Sequence, residues 1–215
     1  MWTVVTTQLR EVFARTIEAG VAVRQNYPSI TGFGSVKAIG NLQTSVALRN
    51  VAYSDTYMEL VENNQFHIML PDGGVMLFQY RFNCEGQLLK HRLCYFPSPQ
   101  LPTVEEAPEL YHNDQLYADI LLDRIVRFPV RFDYDPESYR PRFHPQSHLT
   151  LGQFENCRIP VSCPVSPNDF LKFVLLNFYH LAYRRHLNKF EKRSRSWSVR
   201  SCLTEHERGL PFLTF

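Results

Sequence analysis

Residues 67 to 96 read as HIML, PDGG, VMLFQYRF, NCEGQ and LLKHRLCYF: three runs rich in apolar and aromatic residues, separated by Asp-Gly and Glu-Gly turns. Turns this short commit the runs to antiparallel hairpins, because parallel neighbours need a crossover of a dozen residues or more. Tyr80 and Phe82 alternate with Gln79 and Arg81, so one face of the second strand is aromatic and the other polar. A meander of this kind supplies a sheet and requires a cover.

The cover is written further along. Ser166, Pro167, Asn168 and Asp169 form a helix start, with a serine cap, proline at the first helical position and an acid three residues after the cap. The run FLKFVLLNFYHLAYRRH that follows is apolar around most of its circumference, which predicts a long buried helix packed on the sheet. Leu9, Val12, Phe13, Thr16 and Ile17 recur at three- and four-residue steps, predicting an N-terminal amphipathic helix that ends near Gly20 to Val23 and lies on the sheet's edge or opposite face. Thr56 to Gln65 suits a short helix capped by Asp55, and Asp114 to Ile125 has helical spacing at Leu116, Ile120 and Leu121. Alternation over Phe128 to Tyr134 predicts a fourth main strand, Ser147 to Leu151 a fifth, and Arg158 to Val161 an extended piece. Short strands or a loose hairpin fit the glycine-spaced segment up to Asn50. The expectation is an α+β domain over residues 1–186, a mostly antiparallel sheet on an apolar helix, followed by a basic and then apolar tail over 187–215.

Charge adds little at the level of the whole chain, since 23 Lys and Arg against 21 Asp and Glu give +2. Its distribution says more. Arg184, Arg185, Lys189, Lys192, Arg193, Arg195 and Arg200 face Glu191 alone, with Trp197 and Phe190 among them. That mixture can follow a phosphate backbone and stack a base, or it can be a solvated helix end. The five cysteines are odd in number and lack paired zinc spacing, and the first residues lack a signal-peptide pattern. No apolar run approaches the roughly 20 residues of a membrane span. A reduced, cytoplasmic protein with no cofactor and no membrane association is the expectation.

Polar groups concentrate in RFDYDPESYRPRFHPQSHLTLGQFENCRIPVSCPVSP, residues 131 to 167. His144 and His148 stand four residues apart, but Pro145 interrupts any helix and no glutamate intervenes, so no metal site is assigned. His148 at the start of a strand shares a face with Thr150, and the proline places His144 in a turn beside it. Two readings stand. In one, His144 and His148 do acid/base chemistry, Arg158 stabilises a phosphate that gains charge, and Asp133 orients them. In the other, Asp133 or Asp135 holds His148 or Arg158 in a buried polar network.

The pieces LPDGGVMLFQYRF, HRLCYFPSP, RFDYD, HPQSHLTLG, NCRIPV and SPNDFLKFVLLNFY resemble an uncharacterised prokaryotic family defined as a domain of unknown function. That resemblance spans roughly residues 55 to 180, and the histidines followed by an arginine look distantly like toxins of the TumE type. It implies an anti-phage defence or toxin-like protein acting on nucleic acid, a metal-independent ribonuclease in its sharpest form. The alternative is a non-catalytic subunit that docks on a protein partner encoded nearby.

Overall fold

The computed structural model describes residues 1–33, 36–40, 52–99, 128–154, 156–191 and 196–215. The helix expected over Asp114 to Ile125, residues 34, 35 and 41–50 of the segment leading to Asn50, and Lys192, Arg193 and Arg195 lie outside the described residues.

The described residues form one sheet of nine strands: β1 (Arg24–Gln25), β2 (Ile30–Phe33), β3 (Val36–Ile39), β4 (Ile68–Met69), β5 (Val75–Asn83), β6 (Leu88–Phe96), β7 (Val130–Tyr134), β8 (Ser147–Leu151) and β9 (Ile159–Pro160). The main order is β1-β4-β5-β6-β7-β8-β9, and every pairing is antiparallel. β3 joins the far half of the β5 edge that β4 occupies at its near end, and β2 pairs with β3. The predicted meander is therefore β4 to β6, and the strands expected at Phe128 to Tyr134 and Ser147 to Leu151 are β7 and β8.

Strand alternation divides the residues between two faces. Met76, Phe78, Tyr80, Phe82, Leu93, Tyr95, Val130, Phe132 and Leu149 belong to one core with Val5, Leu9, Val12 and Phe13 of helix α1 (Trp2–Glu18) and with Phe170, Leu171, Val174 and Leu175 of helix α3 (Pro167–Phe178). The N-terminal helix thus shares a face with α3 instead of lying on the edge or the opposite face. Geometry explains the correction. Seven strands at about 4.8 Å spacing span roughly 30 Å, whereas one helix covers about 10 Å, so a single helix leaves apolar rings wet. The two helices are tied directly: Arg15 Nη1 donates to Asn168 Oδ1 at 2.9 Å, and Asn168 N donates to Gln8 Oε1 at 3.3 Å.

Ser166 caps α3 as expected, its Oγ accepting from Asp169 N at 3.1 Å with Pro167 at the first position. Two sheet side chains fix the approach to this helix. Val165 N donates to His91 Nε2 at 2.9 Å, and Tyr80 Oη donates to Val165 O at 3.1 Å. The helix stops at Phe178, short of the length expected, because Tyr179 leaves helical geometry (φ −135°, ψ 47°). Its hydroxyl reaches the buried Asp72 carboxylate at 2.9 and 3.0 Å. The chain resumes as α4 (His180–Arg185), α5 (Leu187–Phe190) and α6 (Glu205–Arg208).

On the other face Val75, Leu77, Cys94 and Phe96 pack with Tyr57 and Leu60 of α2 (Tyr53–Glu62). Asp55 sits inside the first turn of α2, and Ala52 occupies the cap. The C-terminal residues return to the sheet. Leu213 makes a parallel bridge with Val161, Ser162 N donates to Leu213 O at 2.8 Å, and the Phe215 ring meets Phe132 at 5.5 Å and Phe173 at 6.3 Å. Phe190 and Val161 belong to the same core as the sheet. Among the described residues no helix is long and apolar enough to cross a membrane, and all five cysteines are free thiols.

Candidate functional site

Beyond the α2-covered end, the second face turns polar. Strand register aligns Gln79 of β5 with Arg92 of β6, Arg92 with Asp133 of β7, and Asp133 with His148 of β8. Asp133 is 6% exposed. Its Oδ1 accepts from Arg92 Nε at 2.9 Å and its Oδ2 from Arg131 Nε at 2.6 Å. Burial by itself would raise this carboxyl's pKa, but the Arg131 and Arg92 guanidiniums outweigh it and hold it down at about 2.

His148 is 2% exposed, with Nε2 at 3.9 Å from Asp133 Oδ2 and Nδ1 at 3.1 Å from Pro145 O. A proton on Nδ1 satisfies the Pro145 carbonyl, so the neutral ring fits this position. Burial pulls its pKa down to about 4 against the opposing pull of Asp133, and the ring is uncharged at neutral pH. Thr150 shares its face, as the strand reading required.

His144 is reached through a tight hairpin. Arg140 N donates to His144 O at 3.0 Å and His144 N to Arg140 O at 2.9 Å, with Arg142 at φ +69° in the left-handed region. Pro141 and Pro145 bracket this tip. The His144 ring packs edge-on against His148 at 4.7 Å between centroids. It also lines a cleft of 580 Å³ with Arg140, Arg158, Tyr139 and Phe143. Burial first and the Arg158 charge second lower the His144 pKa. Asp135 has a different role: it accepts from Lys90 and, at 2.8 Å, from Ser138 Oγ, pinning the turn that leads to the hairpin.

Asp133, His144, His148 and Arg158 are thus gathered at one end of the polar face, with His144 and Arg158 in the cleft and His148 behind. The aspartate is bound by Arg131, within the 131–167 stretch, and by Arg92, which the sheet supplies from outside it. Arg140 and Phe143 went unnoticed in sequence. Their signal is the composition of YRPRFHP, where two arginines and a phenylalanine lie between prolines that force a turn. Of the basic residues of the C-terminal part, Arg184, Arg185 and Lys189 belong to the helix layer instead. Arg184 and Arg185 are exposed on α4, and Lys189 donates to Glu18 O at the end of α1. Trp197 packs against the core, its Nε1 donating to Pro164 O at 2.8 Å.

An antiparallel sheet covered by helices on one face, with an arginine–aspartate–histidine row on the other, defines the class: an α+β protein with a polar sheet face ending in a basic cleft. The chain belongs to an uncharacterised conserved protein family, DUF2290, whose model matches residues 21–215. The match begins after α1 and extends through the C-terminal residues, beyond the 55 to 180 span of the sequence resemblance. No curated protein matches the chain, and no solved structure matches it.

Proposed function

We propose that this protein acts on RNA at the hairpin cleft, as a metal-independent ribonuclease. The observation that supports this most is that one imidazole, His144, lines a single cleft together with Arg140 and Arg158. An imidazole with its pKa below the ordinary 6.5 is a base at neutral pH. RNA carries its own nucleophile, so the protein has to take the 2′-hydroxyl proton, neutralise the phosphate as it gains charge, and let the 5′ oxygen leave protonated. His144 suits the first task and Arg158 the second, and a solvent water supplies the proton that leaves with the 5′ oxygen. His148, buried against His144 and beside Asp133, is a positioning residue in this scheme. The toxin-like or defence setting proposed with it rests on the sequence resemblance alone.

A second reading is favoured by Phe143, 77% exposed at the hairpin tip: a non-catalytic subunit that docks there on a protein partner. Purified protein is assayed for cleavage of a single-stranded RNA at pH 7 with chelator present, beside His144→Ala and Arg158→Ala. Both variants should keep the wild-type Tm, and His144→Ala should lose about 10²- to 10⁴-fold in rate. Absence of wild-type cleavage, together with co-elution of a partner that Phe143→Ser abolishes, would establish the subunit reading instead.

A further inference from the structure

The tip of the hairpin carries a strained arginine. Phe143 N donates to Arg140 O at 3.1 Å, with Pro141 second and Arg142 third at φ +69°, the pattern of a type II turn, whose third position favours glycine or asparagine. The other non-glycine residue with a positive φ among the described residues is Asn64, a type that tolerates the left-handed region. Arginine does not: its Cβ is crowded there and its long side chain cannot bond back to the turn. Arg92 and Arg131 are clamped on Asp133, whereas among the described residues no hydrogen bond or ion pair holds the side chains of Arg140, Arg142 and Arg158. Strain at a side chain with no partner in its own chain points to a ligand outside it.

The ring beside it says what kind of ligand. Arg140 and His144 hold each other by reciprocal backbone hydrogen bonds, so their side chains leave the hairpin on one side. Phe143 lines the same cleft as both, together with Arg158, and is 77% exposed. Glu137 lines it too, so the walls carry two guanidiniums against one carboxylate, and Arg142 adds a third cation at the turn. An apolar partner surface would gain from Phe143 but would have to desolvate these guanidiniums without a counter-charge. A strand of nucleic acid meets both needs, with phosphates for the arginines and a base face for the ring. In a duplex that face is covered by its neighbours in the stack.

We infer that Phe143 makes the hairpin selective for unpaired RNA, stacking on one base while Arg142 holds a neighbouring phosphate. This selectivity rests on the reading of the hairpin cleft as the place where RNA is held. Affinity is measured by fluorescence anisotropy on a short labelled 2′-O-methyl oligoribonucleotide of mixed sequence, alone and annealed to its complement. Such a strand has no free 2′-hydroxyl, so binding is read without cleavage. The single strand should bind about tenfold or more tighter than the duplex. Phe143→Ser should weaken single-strand binding about five- to a hundredfold, and Phe143→Trp should keep it. Arg142→Gly should melt at or above the wild-type Tm, since glycine accepts this φ without strain. It should also bind more weakly, its plot of log affinity against log salt flatter by about 0.7. A purely structural arginine gives the reverse, a lower Tm and an unchanged slope. No binding by the wild type, a duplex bound as tightly as the single strand, unchanged affinity in Phe143→Ser, or a lower Tm or unchanged slope in Arg142→Gly would each overturn the inference. Cleavage of the unmodified strand is scored on the same preparations. Binding without cleavage sinks the ribonuclease reading alone, and cleavage with wild-type affinity in Phe143→Ser sinks the stacking alone.

Discussion

Asp133→Asn tests whether the polar row is a structural keystone. The carboxylate is 8% exposed at its side chain, and the Arg92 and Arg131 side chains that clamp it are 17% and 15% exposed. Removing the charge takes away the carboxylate that two mostly buried guanidiniums share, and breaking a buried pair in this way costs about 3–5 kcal/mol. Asparagine keeps one acceptor oxygen, which places the expected loss near the lower end, at about 3 kcal/mol. For a chain of this size that corresponds to a fall in Tm of roughly 6–12 °C. Asp135→Asn is the internal control. Its partner Lys90 has a side chain 37% exposed, so solvent screens the pair and the loss should stay at or below about 1 kcal/mol. Urea unfolding at pH 7 on both variants measures the contrast. If Asp133→Asn costs less than about 1 kcal/mol, or no more than Asp135→Asn, the double clamp is not what fixes this face.

Phe170 is fully buried, with edge contacts to Phe78 at 5.4 Å and Phe132 at 6.1 Å; Phe170→Ala should cost about 3–5 kcal/mol in chemical denaturation. The half-buried Phe173 should cost less when truncated, and the reverse order would misplace α3. Acid should destabilise the protein early. Burial lowers the pKa values of His67 and His148 to about 4 and of His91 to about 3, so between pH 6.5 and 4 the unfolded chain binds more protons than the folded one. Stability then falls as pH falls, by up to about 1.4 kcal/mol per pH unit for each histidine. Asp133 adds to this at lower pH, its contribution being lost as pH drops from 3.8 through about 2. Urea midpoints that stay flat from pH 7 to 4.5 would contradict the burial of these rings.

The local features that the chain displays in order were legible before any coordinates. The Asp72–Gly73 and Glu85–Gly86 turns announced β4 to β6, and Ser166–Pro167 announced the start of α3. What could not be read is set by residues far apart. Tyr179 breaks its helix to reach Asp72, 107 residues away, and no helical periodicity contains that instruction. The candidate site follows the same division. His144 and His148 were visible as a pair on either side of Pro145, but the partners of Asp133 follow from the β6–β7 register, which places Arg92 opposite it. Register is a property of two strands together, so one strand's pattern leaves Arg92, His148 and Arg158 as equal claimants.

The return of the C-terminal residues to β9 also sets a timetable for synthesis. Leu213 N donates to Pro160 O at 2.9 Å, and Phe215 N donates to Ser162 Oγ across 53 residues of sequence. At about 5–20 residues per second a ribosome needs roughly 3–10 s to make that interval. Throughout it, the margin of β9 opposite β8 stays unpaired and could recruit another strand. Pro160 lacks an N–H and presents half the usual docking groups on that margin. The sequence therefore carries its own guard for the seconds before Leu213 and Phe215 arrive.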